Sequence, residues 1–175
     1  MDFAQVVEER HSVRAFQGRE VDRATLESIV RAARRAPSAG NLQAYKVAVV
    51  ESPPVRRALA QAALDQDFVA QAPAVLVFLA DATASGVKYG RRGETLYAVQ
   101  DATIACAYAQ LAACDAGLGS CWVGAFHEDG VRSALHVDEG LRPVALLPLG
   151  YPAEDPRVTP RRPLSEMLID IRDGP

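Results

Sequence analysis

Arg10, His11, Ser12 and Arg14 crowd three potentially cationic side chains around one hydroxyl near the amino end of the chain. Guanidinium groups offer forked donors suited to phosphate oxygens, and a serine adds a short donor between them. A solvated basic turn accounts for the same residues, since cations are favoured at a helix carboxyl end. A second polar stretch runs from Pro37 through Ser38, Ala39 and Asn41 to Gln43. Its amides present donors and acceptors together, as needed to read the edge of a heterocycle. An ordinary helix-to-strand loop favours these residues too. Arg161 and Arg162 lie in a proline-stiffened tail with no core of its own, either solvated or free to close over an anion bound elsewhere. No Ser-His-Asp or Cys-His set stands out, and the remaining histidines, His127 and His136, read as surface residues.

The positive charge is local. The chain of 175 residues has a formal net charge of -3 and a pI near 5.6, without a long basic run. That excludes the electrostatic footprint of non-specific nucleic-acid or anionic-membrane binding. Apolar residues at 49% and charged residues at 23% describe one globular domain, residues 1–175, with a sizeable core. The amino end lacks a basic stretch leading into an apolar run, so an intracellular, cytoplasmic protein is expected. Cys106, Cys114 and Cys121 form no Cys-x-x-Cys pair and read as small buried residues rather than disulfides or metal ligands.

The elements that must position these groups follow from periodicity. A first helix over Asp2–Arg10 buries Phe3, Val6 and Val7. The spacing of Leu26, Ile29, Val30 and Ala33 predicts an amphipathic helix over Val21–Ala36, capped by Asp22 and stapled by Val21 against Leu26. Buried strands are expected at Lys46–Val50, Ala74–Ala80 and Pro143–Gly150, with Ser52-Pro53 opening a helix between the first two. Thr95–Ala116 reads as an alanine-rich helix buried on most faces, in the core or at a subunit interface, too often interrupted by polar residues for a membrane. Gly117-Leu118-Gly119 ends it, Ser120–Phe126 follows as a strand, and a helix over Glu128–Val137 comes next. Asp81–Glu94 is expected as a loop. Strands separated by helices indicate a three-layer arrangement with an extended carboxyl-terminal tail.

Four fragments in this order carry a resemblance: "RHSVRAF", "AARRAPSAGNLQAYKVAVV", "QDATIACAYAQLAACDAGLGSCWVGAF" and "VALLPLGYPAEDPRVTPRRPLSE". Together they span nearly the whole length, and the chain resembles the nitroreductase family of FMN-dependent oxidoreductases. The resemblance implies an α+β fold with a three-layer α/β/α arrangement and a central mixed sheet. It also implies an intertwined homodimer with FMN at its interface, and NAD(P)H and a small-molecule electron acceptor as substrates. By resemblance, Arg10, His11, Ser12 and Arg14 contact the phosphate and ribityl side. Pro37, Ser38, Ala39, Asn41 and Gln43 come from the partner subunit, and Gln66 reaches the pyrimidine ring. Gly124 and Ala125 meet the flavin near N5 and O4, and Arg161 or Arg162 clamps the phosphate. Hydride chemistry then belongs to the flavin, and no catalytic nucleophile is needed. Two departures stand out. Ala44-Tyr45 replaces the family's frequent Pro-Trp, and a short loop lies between Ala80 and Leu96 where larger relatives insert lid helices. Tyr89, Arg91, Arg92 and Trp122 either line an entrance there or are ordinary loop and packing residues. A flavin-storage module and a specialised flavin-dependent dehydrogenase are the competing functions.

Overall fold

The computed structural model describes residues 1–155 and 158–171. Four strands, β1 (Tyr45–Val50), β2 (Ala74–Asp81), β3 (Gly119–Ser120) and β4 (Leu141–Gly150), form one sheet in the order β1-β2-β4-β3. Every strand pair is antiparallel, with Val47 opposite Phe78 and Leu76 opposite Leu147. The expected mixed sheet is thus antiparallel in its strands. Parallel pairing is confined, among the described residues, to an isolated bridge between Ser12 and Ser120.

Central β2 is buried on both faces, and its alternation sorts side chains into two cores. Leu76 and Phe78, with Ala145, Leu147 and Leu149 of β4, face helices α2 (Arg23–Ala33) and α6 (Ala98–Asp115) through Leu26, Ile29, Ala105 and Ala109. Val75, Val77 and Leu79 face α3 (Pro53–Ala62), α4 (Phe68–Gln71) and α7 (Glu128–Leu135) through Leu59, Val69 and Val131. The three-layer arrangement follows from that alternation.

Local chemistry sets most boundaries. Asp22 caps α2 by accepting the Thr25 N–H at 2.9 Å, and the staple residues Val21 and Leu26 are both buried. Along α6, Ala98, Ala102, Ala105, Ala109 and Ala113 make a buried stripe whose small side chains let the helix lie close on the sheet. Gln100, Ala107, Tyr108 and Asp115 are its exposed positions. The helix ends with Gly117 at φ 74°, where the Leu118 N–H reaches the Ala113 carbonyl and the Gly117 N–H the Cys114 carbonyl, each at 2.9 Å. Cys106 and Cys121 are buried and Cys114 partly so, all three as free thiols.

Several expectations need correction. Helix α1 (Phe3–Glu9), closed by a capping box between Asp2 and Gln5, buries Val6 alone, while Phe3 is 77% and Val7 49% exposed. Two turns lying across the surface offer only one stripe to α6. The strand expected at Ser120–Phe126 is regular only at Gly119–Ser120. Beyond it a bridge at Val123 to Leu146 remains before the chain peels away. The stretch Asp81–Glu94 is no loop: α5 (Ala82–Arg92) is capped by Asp81, which accepts the Ala84 N–H at 2.9 Å, and is broken at Gly90. A π-helical segment, Gly93–Tyr97, joins it to α6, which therefore starts three residues later than Thr95. Two of the glycines that weaken helix propensity here are close-approach positions: a Cβ on Gly93 would lie 2.5 Å from the Ser85 carbonyl oxygen, and one on Gly86 2.7 Å from the Glu94 side chain.

Candidate functional site

The first group of polar residues gathers at the β3 edge of the sheet. The Val13 N–H donates to the Ser120 carbonyl at 3.0 Å, which lays Ser12 alongside β3. Only a glycine at 119 permits this, because a Cβ there would come within 2.8 Å of the Val13 side chain. His11 Nδ1 lies 2.8 Å from the Glu9 carbonyl, and Arg10 and His11 line one cavity with Cys114, Ser120 and Pro152. Glu154 Oε1 accepts the backbone N–H of Arg14 at 3.0 Å. The Arg14 guanidinium carbon lies 5.8 Å from the centroid of the Phe68 ring, a cation–π contact. Arg10 and Arg14 form no ion pair among the described residues. Two residues before Phe68, the Gln66 amide donates to the Ala63 carbonyl at 2.8 Å and the Ala125 carbonyl at 3.3 Å. Gly124 is exposed beside the Trp122 indole. Burial pushes the Cys121 thiol up, opposed by the nearby Arg14 charge and the Ser12 hydroxyl. Thus Ser12, Arg14, Gln66 and Ala125, far apart in sequence, converge here.

The second group lies at the other edge, in the loop feeding β1. Pro37 follows α2, Ser38 is extended, and Ala39–Asn41 form one 3-10 turn. Gly40, Asn41 and Gln43 take left-handed backbone at φ 56°, 57° and 45°, a conformation uncommon for the two amide residues. Ser38 Oγ accepts the Gln43 N–H at 3.0 Å, and the Gln43 amide donates to Asn41 Oδ1 at 2.8 Å and to the Asn41 carbonyl. Asp101 anchors the loop from α6. It is 2% exposed, and its two oxygens accept the Ala39 N–H at 2.9 Å and the Ala44 N–H at 3.3 Å. It forms no ion pair among the described residues, and these N–H groups satisfy its buried oxygens. Pro37, Ser38 and Ala39 open onto a groove shared with Tyr97, Gln100, Thr103 and Ile104 of the following segment.

Within one chain the two groups flank opposite edges of the sheet and do not meet. Arg161 and Arg162 join neither. They are exposed, as are Val158, Leu164, Met167, Leu168, Ile169 and Ile171 of the same tail. His127 and His136 are exposed as expected, with His136 at the left-handed carboxyl cap of α7. Sequence reasoning missed the anchoring role of Asp101, although a charge inside an alanine-rich helix was a signal. It also missed Phe68 and Glu154, which only the folded chain brings to Arg14.

The nitroreductase family model matches residues 7–66 and 60–151. A curated relative, an NADH dehydrogenase of Thermus thermophilus, is 33% identical over 187 residues, covering 91% of this chain and 91% of that protein. An oxygen-insensitive NADPH nitroreductase of Salmonella typhimurium is 30% identical, covering 90% of this chain and 68% of its own length. Among solved structures, a nitroreductase family protein of Clostridium novyi superposes with a TM-score of 0.80 at 33% identity, covering 88% of this chain and 87% of the other. With its three layers, its antiparallel sheet and these motifs in register, the chain belongs to the nitroreductase family.

Proposed function

We propose that the chain, residues 1–175 as one domain, is an FMN-dependent NAD(P)H oxidoreductase. It works as a homodimer on nitroaromatic, quinone-like or related acceptors. One observation supports this reading: two sets of flavin-suited donors stand at opposite edges of one sheet, the arrangement expected of a chain that supplies half of each of two sites. The donor set fits the cofactor. Arg10, Ser12 and Arg14 supply cations and a hydroxyl for a phosphate, while the Gln66 amide and the Gly124–Ala125 backbone supply donors and acceptors for a ring edge. From the partner subunit, the Ser38–Gln43 loop would close the other side. Arg161 and Arg162, carried on an exposed tail, suit a clamp that crosses between subunits.

FMN, when bound, would supply the redox chemistry, a ping-pong hydride transfer between NAD(P)H and the acceptor. The protein's part is to hold and polarise. Arg14 is kept in place by Glu154 through its backbone and by Phe68 under its guanidinium, so its charge is preorganised. Asp101 fixes the left-handed loop before any ligand arrives, lowering the ordering cost of binding. The names of the Thermus and Salmonella relatives, an NADH dehydrogenase and an NADPH nitroreductase, support a nicotinamide donor. The test is the visible spectrum of purified protein under anaerobic conditions. A flavin band bleached by NADH or NADPH and restored by a nitroaromatic or quinone is expected. A colourless protein that FMN cannot reconstitute would end the reading.

A further inference from the structure

Helix α5 and the π-helical segment after it form a second feature against the Ser38–Gln43 loop. The rings of Tyr89 and Tyr97 meet edge to face, with centroids 5.2 Å apart and planes at 85°. Lys88 Nζ stands 5.3 Å from the Tyr89 centroid and the Arg92 guanidinium carbon 5.4 Å from that of Tyr97. Arg92 Nε also donates to the Tyr97 hydroxyl at 2.9 Å, which fixes the guanidinium and leaves its terminal nitrogens for another partner. The pair sits at the loop itself: the Tyr89 hydroxyl and Lys88 Nζ fill the space a Cβ on Gly40 would take. Tyr97 lines the groove beside Pro37, Ala39 and Ile104.

Charge here is predominantly positive, three cations to one exposed Glu94. Lys88, Arg91 and Arg92 are exposed, and none forms an ion pair among the described residues. Of the neighbouring acids, Asp81 caps α5 and Asp101 is buried on backbone N–H groups, while Glu94 is exposed beside Gly86. We propose that the Tyr89–Tyr97 pair, with Lys88 and Arg92 set against its rings, docks an electron acceptor that is a planar aromatic bearing a carboxylate or similar anion. The ring packs against the tyrosines and the apolar groove, and the anion meets the Arg92 fork, a bidentate geometry that guanidinium favours. This rests on the proposed function, because the loop it adjoins is the one assigned to the flavin.

The experiment compares 4-nitrobenzoate with 4-nitrobenzamide, matched in shape and differing in charge, on the purified flavoprotein. The wild-type protein should favour the benzoate in kcat/KM, less so as salt is raised. Arg92→Gln, and independently Lys88→Gln, should lower the benzoate-to-benzamide ratio by about two- to fivefold, the scale of one exposed ion pair. Calorimetric titration with 4-nitrobenzoate in the absence of nicotinamide should show the same loss of affinity. Equal use of both acceptors by the wild-type protein overturns the inference and leaves the proposed function standing. So does a loss confined to the KM for NADPH, which would assign the cations to the nicotinamide donor. A flavin that neither nicotinamide reduces overturns both.

Discussion

The buried carboxylate of Asp101 accepts the backbone N–H of Ala39 at 2.9 Å, linking the interior of α6 to the loop that precedes β1. Its other oxygen holds Ala44, so one side chain spans both ends of the Ser38–Gln43 turn. Asp101→Ala would leave two N–H groups without an acceptor in a poorly hydrated site. A loss of about 1–3 kcal/mol per stranded group is expected. Asp101→Asn keeps the shape but turns an amide NH2 toward one of the donors, and should lose less than Asp101→Ala. Chemical denaturation measures both, and an alanine variant as stable as the parent would show that the loop stands without its anchor.

Gly40 combines a left-handed φ of 56° with a neighbour that fills its missing side chain. Gly40→Ala is expected to destabilise by about 1 kcal/mol from backbone strain. It should also displace the Tyr89 hydroxyl and loosen the Tyr89–Tyr97 contact. The tyrosine ring signals in an NMR spectrum should shift together with the denaturation midpoint. A midpoint that falls while those signals stay fixed would mean that strain alone acts.

How much of this was legible from residue order varies with the physics involved. The cap at Asp22, the Val21–Leu26 staple, the runs of β2 and β4 and the end of α6 at Gly117 depend on neighbours within a few positions, and they stand as read. Helix α5 was hidden, because Gly86, Gly90 and Gly93 lower local propensity, whereas Gly86 and Gly93 serve close approach to Glu94 and Ser85 and Gly90 takes the positive φ that breaks the helix. The two polar groups were nameable from Arg14 and Gln43. The contacts that hold them, Glu154 to Arg14 and Asp101 to Ala39, join residues far apart in sequence and leave no local pattern.

Asp22 makes one helix sensitive to acid. The Thr25 hydroxyl and then the Thr25 N–H hold its carboxyl below the ordinary value of 3.8. A depressed folded-state pKa means the cap contributes fully above the unfolded value and fades as pH falls through the folded one. Asp22→Ala should therefore lower Tm at neutral pH, with the gap to the parent closing below about pH 4. Asp22→Asn keeps a capping oxygen and should remove the pH dependence while retaining most of the stability. A gap that persists unchanged into acid would rule out the carboxylate as its source.

Arg14 offers the most direct probe of the phosphate assignment. Arg14→Ala removes a charge from beside Phe68 without touching the backbone bond to Glu154. Affinity for FMN should fall by about 1.5–3 kcal/mol, the worth of a hydrogen bond to a charged group. Titration of the apoprotein by flavin fluorescence gives the number, with riboflavin as control, since it lacks the phosphate. An equal loss for riboflavin would move Arg14 away from the phosphate.

The tail supplies the test of assembly. Leu164, Met167, Leu168, Ile169 and Ile171 are each at least 61% exposed, an arrangement that leaves five large apolar side chains without a core in one chain. Buried against a second copy, each would contribute about 1.5–3 kcal/mol, enough together to hold a dimer. Leu168→Asp should leave the far-ultraviolet spectrum of the folded chain as it is, because the side chain lies outside both cores. Sedimentation should show the parent as a dimer and the variant shifted toward monomer, with flavin lost in step, because each site would be left with one subunit's donors. Flavin that stays bound to a sedimenting monomer would mean that one chain completes the site by itself, and the division of donors between the two sheet edges would then need another explanation.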